Sequence, residues 1–165
     1  MIQPGATLGL LGGGQLGRMF TVAARTMGYE VVVLDPDPMS PAGLIANRHL
    51  QAGYRDTEAL TILGRTSSAV TTEFENVPAD SLAFLRDFCP VRPHAEAVAV
   101  TQDRLAEKQF VQEYGFETAP FFPLLSTDDL NPAWSAIGAP SILKTSRLGY
   151  DGKGQAQVAS LDELT

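Results

Sequence analysis

Residues 6–35, ATLGLLGGGQLGRMFTVAARTMGYEVVVLD, carry two different hydrophobic periods separated by a run of glycines. Residues 6–11 form a short apolar run fit for a strand, which breaks at Gly12-Gly13-Gly14. Leu16, Met19, Phe20, Ala23, Ala24 and Met27 then recur at the spacing of one helix face. Gly28 stands where a helix C-terminus favours a residue tolerant of the left-handed region, and Glu30–Leu34 (EVVVL) reads as a strand buried on both faces. The order is strand, glycine turn, helix, parallel strand.

Outward from this unit the alternation continues. Residues 58–65 read as a short helix, 68–72 (SAVTT) as a parallel strand, 78–88 as a helix with Asn76 and Pro78 as start signals, and 91–93 as a short strand. Such alternation predicts an α/β fold, a Rossmann-like parallel sheet covered by helices. The texture changes after about residue 95. A charged helix over 103–114 ends at Gly115, followed by a strand over 121–125, a helix over 128–137, strands at Ser141–Lys144 and 155–159, and the start of a helix at 161. This divides the chain into a first domain, 1–95, and a second, 96–165. The second is thin for an independent core and reads as the front part of an α+β domain.

The 165 residues are 44% hydrophobic and 19% charged, with 12 Lys and Arg against 19 Asp and Glu, a formal charge of −7. That balance excludes a nonspecific grip on nucleic acid or an anionic membrane, so any phosphate must be held locally. No apolar stretch approaches the roughly 20 residues needed to cross a bilayer. A single cysteine, Cys89, allows no internal disulfide, and no leader-like segment precedes the first strand, so a cytoplasmic setting is the expectation. Cys89 reads as a small buried apolar residue, His49 and His94 as loop residues, and Trp134 as packing its helix on neighbouring strands.

Three stretches carry chemistry. Gly12-x-Gly14-x-x-Gly17, with Asp35 ending the second strand, has the spacing of a dinucleotide fingerprint, in which glycines admit an anion to the amides of a helix N-terminus. Gln15 and Arg18 add donors that suit a phosphosugar as well as a pyrophosphate; a tight turn with no ligand is the competing reading. Residues 144–155 (KTSRLGYDGKGQ) leave a strand at a lysine and pass three glycines before the next strand. They read as a fixed cation and a phosphate-covering lid, or as an ordinary hairpin, and not as a Walker A loop. Between them, TTEFENVP (71–78) places Glu73 and Glu75 on one side of a continuing strand, where a carboxylate could accept from an amine or ribose hydroxyl. An acid-rich helix start is the alternative.

Taken in order, GLLGGGQLGRM (9–19), TTEFENVP (71–78), QDRLAEKQF (102–110) and ILKTSRLGYDGKGQ (142–155) resemble the N5-carboxyaminoimidazole ribonucleotide synthase family of ATP-grasp enzymes across essentially the whole chain. The resemblance implies a preATP-grasp domain followed by the beginning of an ATP-grasp domain. It also implies ATP-dependent carboxylation of 5-aminoimidazole ribonucleotide by bicarbonate, through carboxyphosphate, in purine biosynthesis. Arg104, Lys144 and Asp151 are the implied catalytic residues. Arg104, Lys144, Gly149, Tyr150, Asp151, Gly152, Lys153, Gly154 and Gln155 are implied to hold ATP, and Gln15, Leu16, Glu73 and Tyr150 the ribonucleotide. The family's magnesium ligands are expected past residue 165, so none is assigned here. The 165 residues alone are expected to be inactive, and a homodimer is expected of the whole. Another ATP-grasp ribonucleotide ligase, a nicotinamide-dependent oxidoreductase and a noncatalytic nucleotide-binding remnant are the alternatives.

Overall fold

β1 (Thr7–Leu11) and β2 (Glu30–Leu34) lie parallel, Thr7 opposite Glu30 through Leu11 opposite Leu34, with α1 (Gln15–Thr26) joining them. The βαβ unit legible in the sequence is therefore present. The computed structural model describes residues 1–149 and 152–164. The chain divides into two compact units, Met1–Ala99 and Val100–Thr165.

In the first unit β3 (Arg48–Leu50) and β4 (Ala69–Thr72) complete a parallel sheet of order β3-β2-β1-β4. Three helices follow in chain order, α2 (Thr57–Thr66), α3 (Ala79–Leu85) and α4 (Ala95–Thr101). The run of β-branched residues in β2 is buried on both faces. Val32 and Leu34 pack with Leu60, Leu63, Leu82 and Leu85 on one side, and Val31 and Val33 with Leu10 and Ala24 on the other. Each such side chain contributes roughly 1.5–3 kcal/mol by leaving water.

Several sequence expectations change. β3 was not expected, because three residues, Arg-His-Leu, carry no readable alternation; it forms by pairing with β2 from Val32↔Arg48 to Leu34↔Leu50. His49 is therefore a strand residue, its Nε2 3.0 Å from the Asp35 carbonyl, while His94 is an exposed loop residue as read. The expected strand at 91–93 reduces to a single bridge, Val70↔Val91, because Pro90 and Pro93 flank it and donate no amide hydrogen. The apolar stripe of α1 is buried only in part. Ala24 is buried and Phe20 packs against the core beside the buried Gly17 and Thr21, whereas Leu16, Met19 and Met27 are exposed. The cause is close approach: a Cβ on Gly17 would stand 2.9 Å from the Gly12 carbonyl, so the small residues must face the sheet.

In the second unit Asp103 caps α5 (Arg104–Glu113), accepting from the amides of Leu105 and Ala106 at 3.0 and 3.2 Å, and Gly115 follows with φ +82°. A 3₁₀ turn at Thr127–Asp129 leads into α6 (Leu130–Ile137), which carries the half-buried Trp134. β5 (Ser141–Lys144) and β6 (Gln155–Val158) pair antiparallel, Ser141 opposite Val158 and Lys144 opposite Gln155. Residues 121–125 are not a strand, since Pro120 and Pro123 interrupt the amide donors a ladder needs. The helix expected from 161 is a 3₁₀ turn, Leu161–Glu163. Among the described residues no helix is long and apolar enough to cross a membrane.

Candidate functional site

The ends of β1, β2 and β4 are stitched together beyond their last residues. The Gly12 amide donates to the Leu34 carbonyl and the Glu73 amide to the Leu11 carbonyl, both at 3.0 Å. The chain adds β2 and β3 on one side of β1 and then β4 on the other, and open α/β sheets gather ligands at the carboxyl ends beside such a switch in strand order. Gly12 takes φ +95°, and a Cβ there would meet the Phe74 ring at 2.9 Å, so only glycine fits this corner.

Two carboxylates of the chain occupy the amides of the glycine turn. Glu73 accepts from the Gly14 amide through Oε1 at 2.9 Å and from the Gly17 amide through Oε2 at 2.5 Å. α1 has Gly14 as its N-cap and no acidic residue in its first turn, so Glu73 supplies from β4 the negative charge that a helix N-terminus favours. The Gly13 amide donates to Asp35 Oδ2 at 2.7 Å. Amides that a dinucleotide fingerprint would aim at a pyrophosphate are thus already engaged. A phosphate would meet two like charges there, whereas an amine or hydroxyl would meet acceptors. Gln15 and Leu16 open the exposed first turn of α1 beside these groups.

Asp35 is turned inward and only 7% exposed. Besides Gly13, its Oδ2 accepts from the Tyr54 hydroxyl at 2.7 Å and its Oδ1 from the Asp37 amide at 2.8 Å. That arrangement fits a turn-locking role rather than the ribose contact required by a nicotinamide cofactor. Burial, reinforced by the Asp35 hydrogen bond and the charges of Asp35 and Glu73, pushes the Tyr54 phenol above its ordinary value and keeps it a donor. Sequence reasoning missed Tyr54, which sits in an irregular stretch with no periodic or motif signal. The pairing of Glu73 with Glu75 does not form, because β4 ends at Thr72; Glu75 lies in the turn that follows and accepts from Asn76 at 3.3 Å. Pro78, not Asn76, takes the N-cap position of α3. Cys89 is buried as expected, and burial pushes its thiol up, away from the reactive thiolate.

In the second unit Lys144 ends β5 in an exposed position. The following loop closes where the Thr145 amide donates to the Gly154 carbonyl at 2.8 Å. Gly154 has φ +67° and packs so tightly that a Cβ would stand 2.5 Å from Thr145 Oγ1. The loop is tied to the start of α5: the Arg104 amide donates to the Ser146 carbonyl at 2.8 Å, and Arg147 Nε pairs with Asp103 Oδ2 at 3.2 Å. Arg104 and the lysine-led loop are thereby brought together across about forty residues of sequence. Gly149 is half-buried and Gly152, Lys153 and Gln155 are exposed, while Tyr150 and Asp151 lie outside the described residues. Among the described residues no group of three or more His, Cys, Asp or Glu is placed to hold a metal ion.

Residues 5–102 match the family model of the ribonucleotide synthetase preATP-grasp domain, more than half of the chain. The chain belongs to this family. Residues 109–165 match the ATP-grasp domain, so a ribonucleotide synthetase preATP-grasp domain leads into ATP-grasp sequence. The N5-carboxyaminoimidazole ribonucleotide synthase of Brucella melitensis is 47% identical over 162 residues, 98% of this chain and 45% of the relative. That of Bacillus subtilis is 43% identical over 94% of this chain and 41% of its own length. The chain therefore spans less than half the length of the curated relatives it matches. The N5-carboxyaminoimidazole synthetase of Staphylococcus aureus, solved with ADP, superposes with a TM-score of 0.95 at 39% identity, over 99% of this chain and 44% of that one. The Aspergillus clavatus synthase, solved with ADP and 5-aminoimidazole ribonucleotide, gives 0.85 at 29% identity, over 96% and 42%.

Proposed function

We propose that this preATP-grasp chain forms the ribonucleotide-binding part and the beginning of the nucleotide-binding part of a ligase. That ligase carboxylates 5-aminoimidazole ribonucleotide with bicarbonate at the expense of ATP, in purine biosynthesis. The observation that carries the reading is the 47% identity to an N5-carboxyaminoimidazole ribonucleotide synthase, which runs through both units rather than one. The domain junction is expected from the change in texture near 95, and the division of the chain after Ala99 supports a junction within a few residues of it.

In the first unit Gln15, Leu16 and Glu73 take the ribonucleotide. The acceptor-rich glycine turn suits its amine or ribose hydroxyls and turns its phosphate away. In the second unit Arg104, Lys144 and the loop of Gly149, Tyr150, Asp151, Gly152, Lys153, Gly154 and Gln155 take ATP. Two cations beside a glycine-bearing loop match a polyphosphate in charge and in backbone donors. Lys144 and Arg104 stabilise charge on the γ-phosphoryl group as it passes from ATP to bicarbonate, giving carboxyphosphate with ADP as the leaving group; the carboxyl carbon then passes to the substrate amine as its C–O bond to phosphate breaks, releasing phosphate and the amine proton. Asp151 belongs to the same loop. Magnesium, the usual companion of ATP, finds no ligand set among the described residues. A cytoplasmic setting is part of the same reading, supported by the single cysteine, and a homodimer is what the resemblance to the family implies.

The deciding experiment is ADP release by the full-length gene product. Release should require both 5-aminoimidazole ribonucleotide and bicarbonate, and Lys144→Met should lower it at least tenfold. Release supported instead by formate or glycine with another ribonucleotide would move the assignment to a different ligase of the superfamily.

A further inference from the structure

Contacts around the glycine turn close into a ring. The Gly13 amide and the Tyr54 hydroxyl share Asp35 Oδ2, each at 2.7 Å. The Tyr54 ring lies edge-on to Phe74, with centroids 5.9 Å apart, and Phe74 follows Glu73 directly in the chain. Phe74 crowds the missing Cβ of Gly12, and Glu73 holds the amides of Gly14 and Gly17. The Tyr54 carbonyl in turn accepts from the Ser81 hydroxyl at 2.7 Å, anchoring the tyrosine to α3.

Tyr54 is thus the side chain that bridges the two carboxylate arms, Asp35 at the end of β2 and the Glu73 loop at the end of β4. Without its hydroxyl, Asp35 Oδ2 keeps the Gly13 amide, and the side-chain link from Asp35 through Tyr54 to the Glu73 loop is cut, leaving the glycine turn alone to join the two arms. A site that recognises its ligand through acceptors must hold them within a fraction of an ångström, which requires rotamers locked by neighbours.

From this geometry we infer that Tyr54 is a positioning residue for the ribonucleotide site: it sets the spacing of the Asp35-held glycine turn and the Glu73 carboxylate, and so governs ribonucleotide affinity without touching the ligand. The inference rests on the assignment of Glu73 to the ribonucleotide.

The test uses the full-length gene product, with steady-state ADP release measured against 5-aminoimidazole ribonucleotide and, separately, against ATP. Tyr54→Phe keeps the ring against Phe74 and removes only the hydroxyl. It should raise the KM for the ribonucleotide about fivefold to tenfold, the loss of one hydrogen bond's worth of organisation, and leave the KM for ATP within about twofold. Ser81→Ala loosens the same tyrosine from its backbone side and should raise the ribonucleotide KM in the same direction, whereas Val91→Ala, a core truncation outside these contacts, should lower the unfolding midpoint and leave that KM unchanged. An unchanged ribonucleotide KM in Tyr54→Phe overturns the inference, as does an equal rise in both KM values or an equal rise in Val91→Ala, each of which marks general loosening. Glu73→Gln separates the two levels. If it raises the ribonucleotide KM while Tyr54→Phe does not, only the positioning role fails; if it leaves that KM unchanged, the ribonucleotide assignment fails and the positioning role with it.

Discussion

Glu73 and Gly17 stand 56 residues apart in sequence, yet the carboxylate of the first accepts the amide hydrogen of the second at 2.5 Å. The same carboxylate takes the Gly14 amide, so one side chain at the end of β4 caps the helix that starts after β1. Glu73→Ala leaves two helix N-terminal amides without that partner and removes the charge facing the dipole. Unfolding in urea should show a loss of about 2 kcal/mol, with Glu73→Gln losing about half as much. An alanine variant with the wild-type midpoint would refute the capping role.

Tyr54 gives a pH dependence with a definite sign. Burial raises the folded-state pKa of its phenol above the ordinary tyrosine value of about 10, so above that pH the unfolded chain releases the proton first. The stability that Tyr54 contributes is complete below about pH 10 and declines as pH rises further. Thermal midpoints of the wild type should fall more steeply between about pH 10 and 11.5 than those of Tyr54→Phe, in which this source of decline is gone.

Two glycine substitutions should behave oppositely. A Cβ on Gly13 would stand 2.6 Å from Ser40 Oγ, 2.7 Å from Ser40 Cβ and 3.0 Å from Asp35 Cβ, all in tightly packed surroundings. Gly13→Ala should cost about 1–3 kcal/mol. Gly53 has nothing within 4 Å of its Cβ position and no positive φ, so Gly53→Ala should be neutral or stabilise by up to about 0.5 kcal/mol through the unfolded chain. Paired denaturation curves decide both.

Asp103 performs two tasks that substitution can separate. Asparagine retains the N-cap for the Leu105 and Ala106 amides but loses the ion pair with Arg147, whose side chain is 59% exposed. Asp103→Asn should therefore cost less than about 1 kcal/mol, and Asp103→Ala about 1 kcal/mol more. Raising the salt concentration should shrink the ion-pair loss common to both variants and leave the difference between them unchanged. Equal losses in the two variants would contradict the division.

A polypeptide of these 165 residues prepared alone should release no ADP with ATP, bicarbonate and 5-aminoimidazole ribonucleotide present. Its curated relatives are more than twice as long, and the described residues offer no metal-ligand set. Steady release in proportion to protein concentration would overturn the expectation.

Much of the fold was legible because its signals are local. The βαβ unit follows from an apolar run, a glycine turn, a 3.6-residue period and EVVVL, and the structure pairs β1 with β2 in the expected sense. α5 was readable from its charge and from Gly115, and the lysine-led hairpin from its three glycines. β3 was not, since its three residues become a strand only because β2 offers an edge. The α1 stripe was right at Phe20 and Ala24 but misled at Leu16, Met19 and Met27, because a period locates a helix more firmly than the face it buries; the close approach at Gly17 turns small residues inward.

The sequence by itself determined that a glycine turn opens a helix after a parallel strand, and that a lysine and three glycines bracket a second loop. Neighbouring dihedrals and hydrophobic periods suffice for that. Only the tertiary structure decided what the glycine turn holds. The spacing of Gly12, Gly14 and Gly17 is equally compatible with a bound pyrophosphate and with an internal carboxylate. The choice fell to Glu73 and Asp35, carried there by β4 and β2 and bonded to amides distant in sequence. An amide donor is the same group in either case, so its partner is set by which acceptor the sheet delivers to it, and that is a property of strand order.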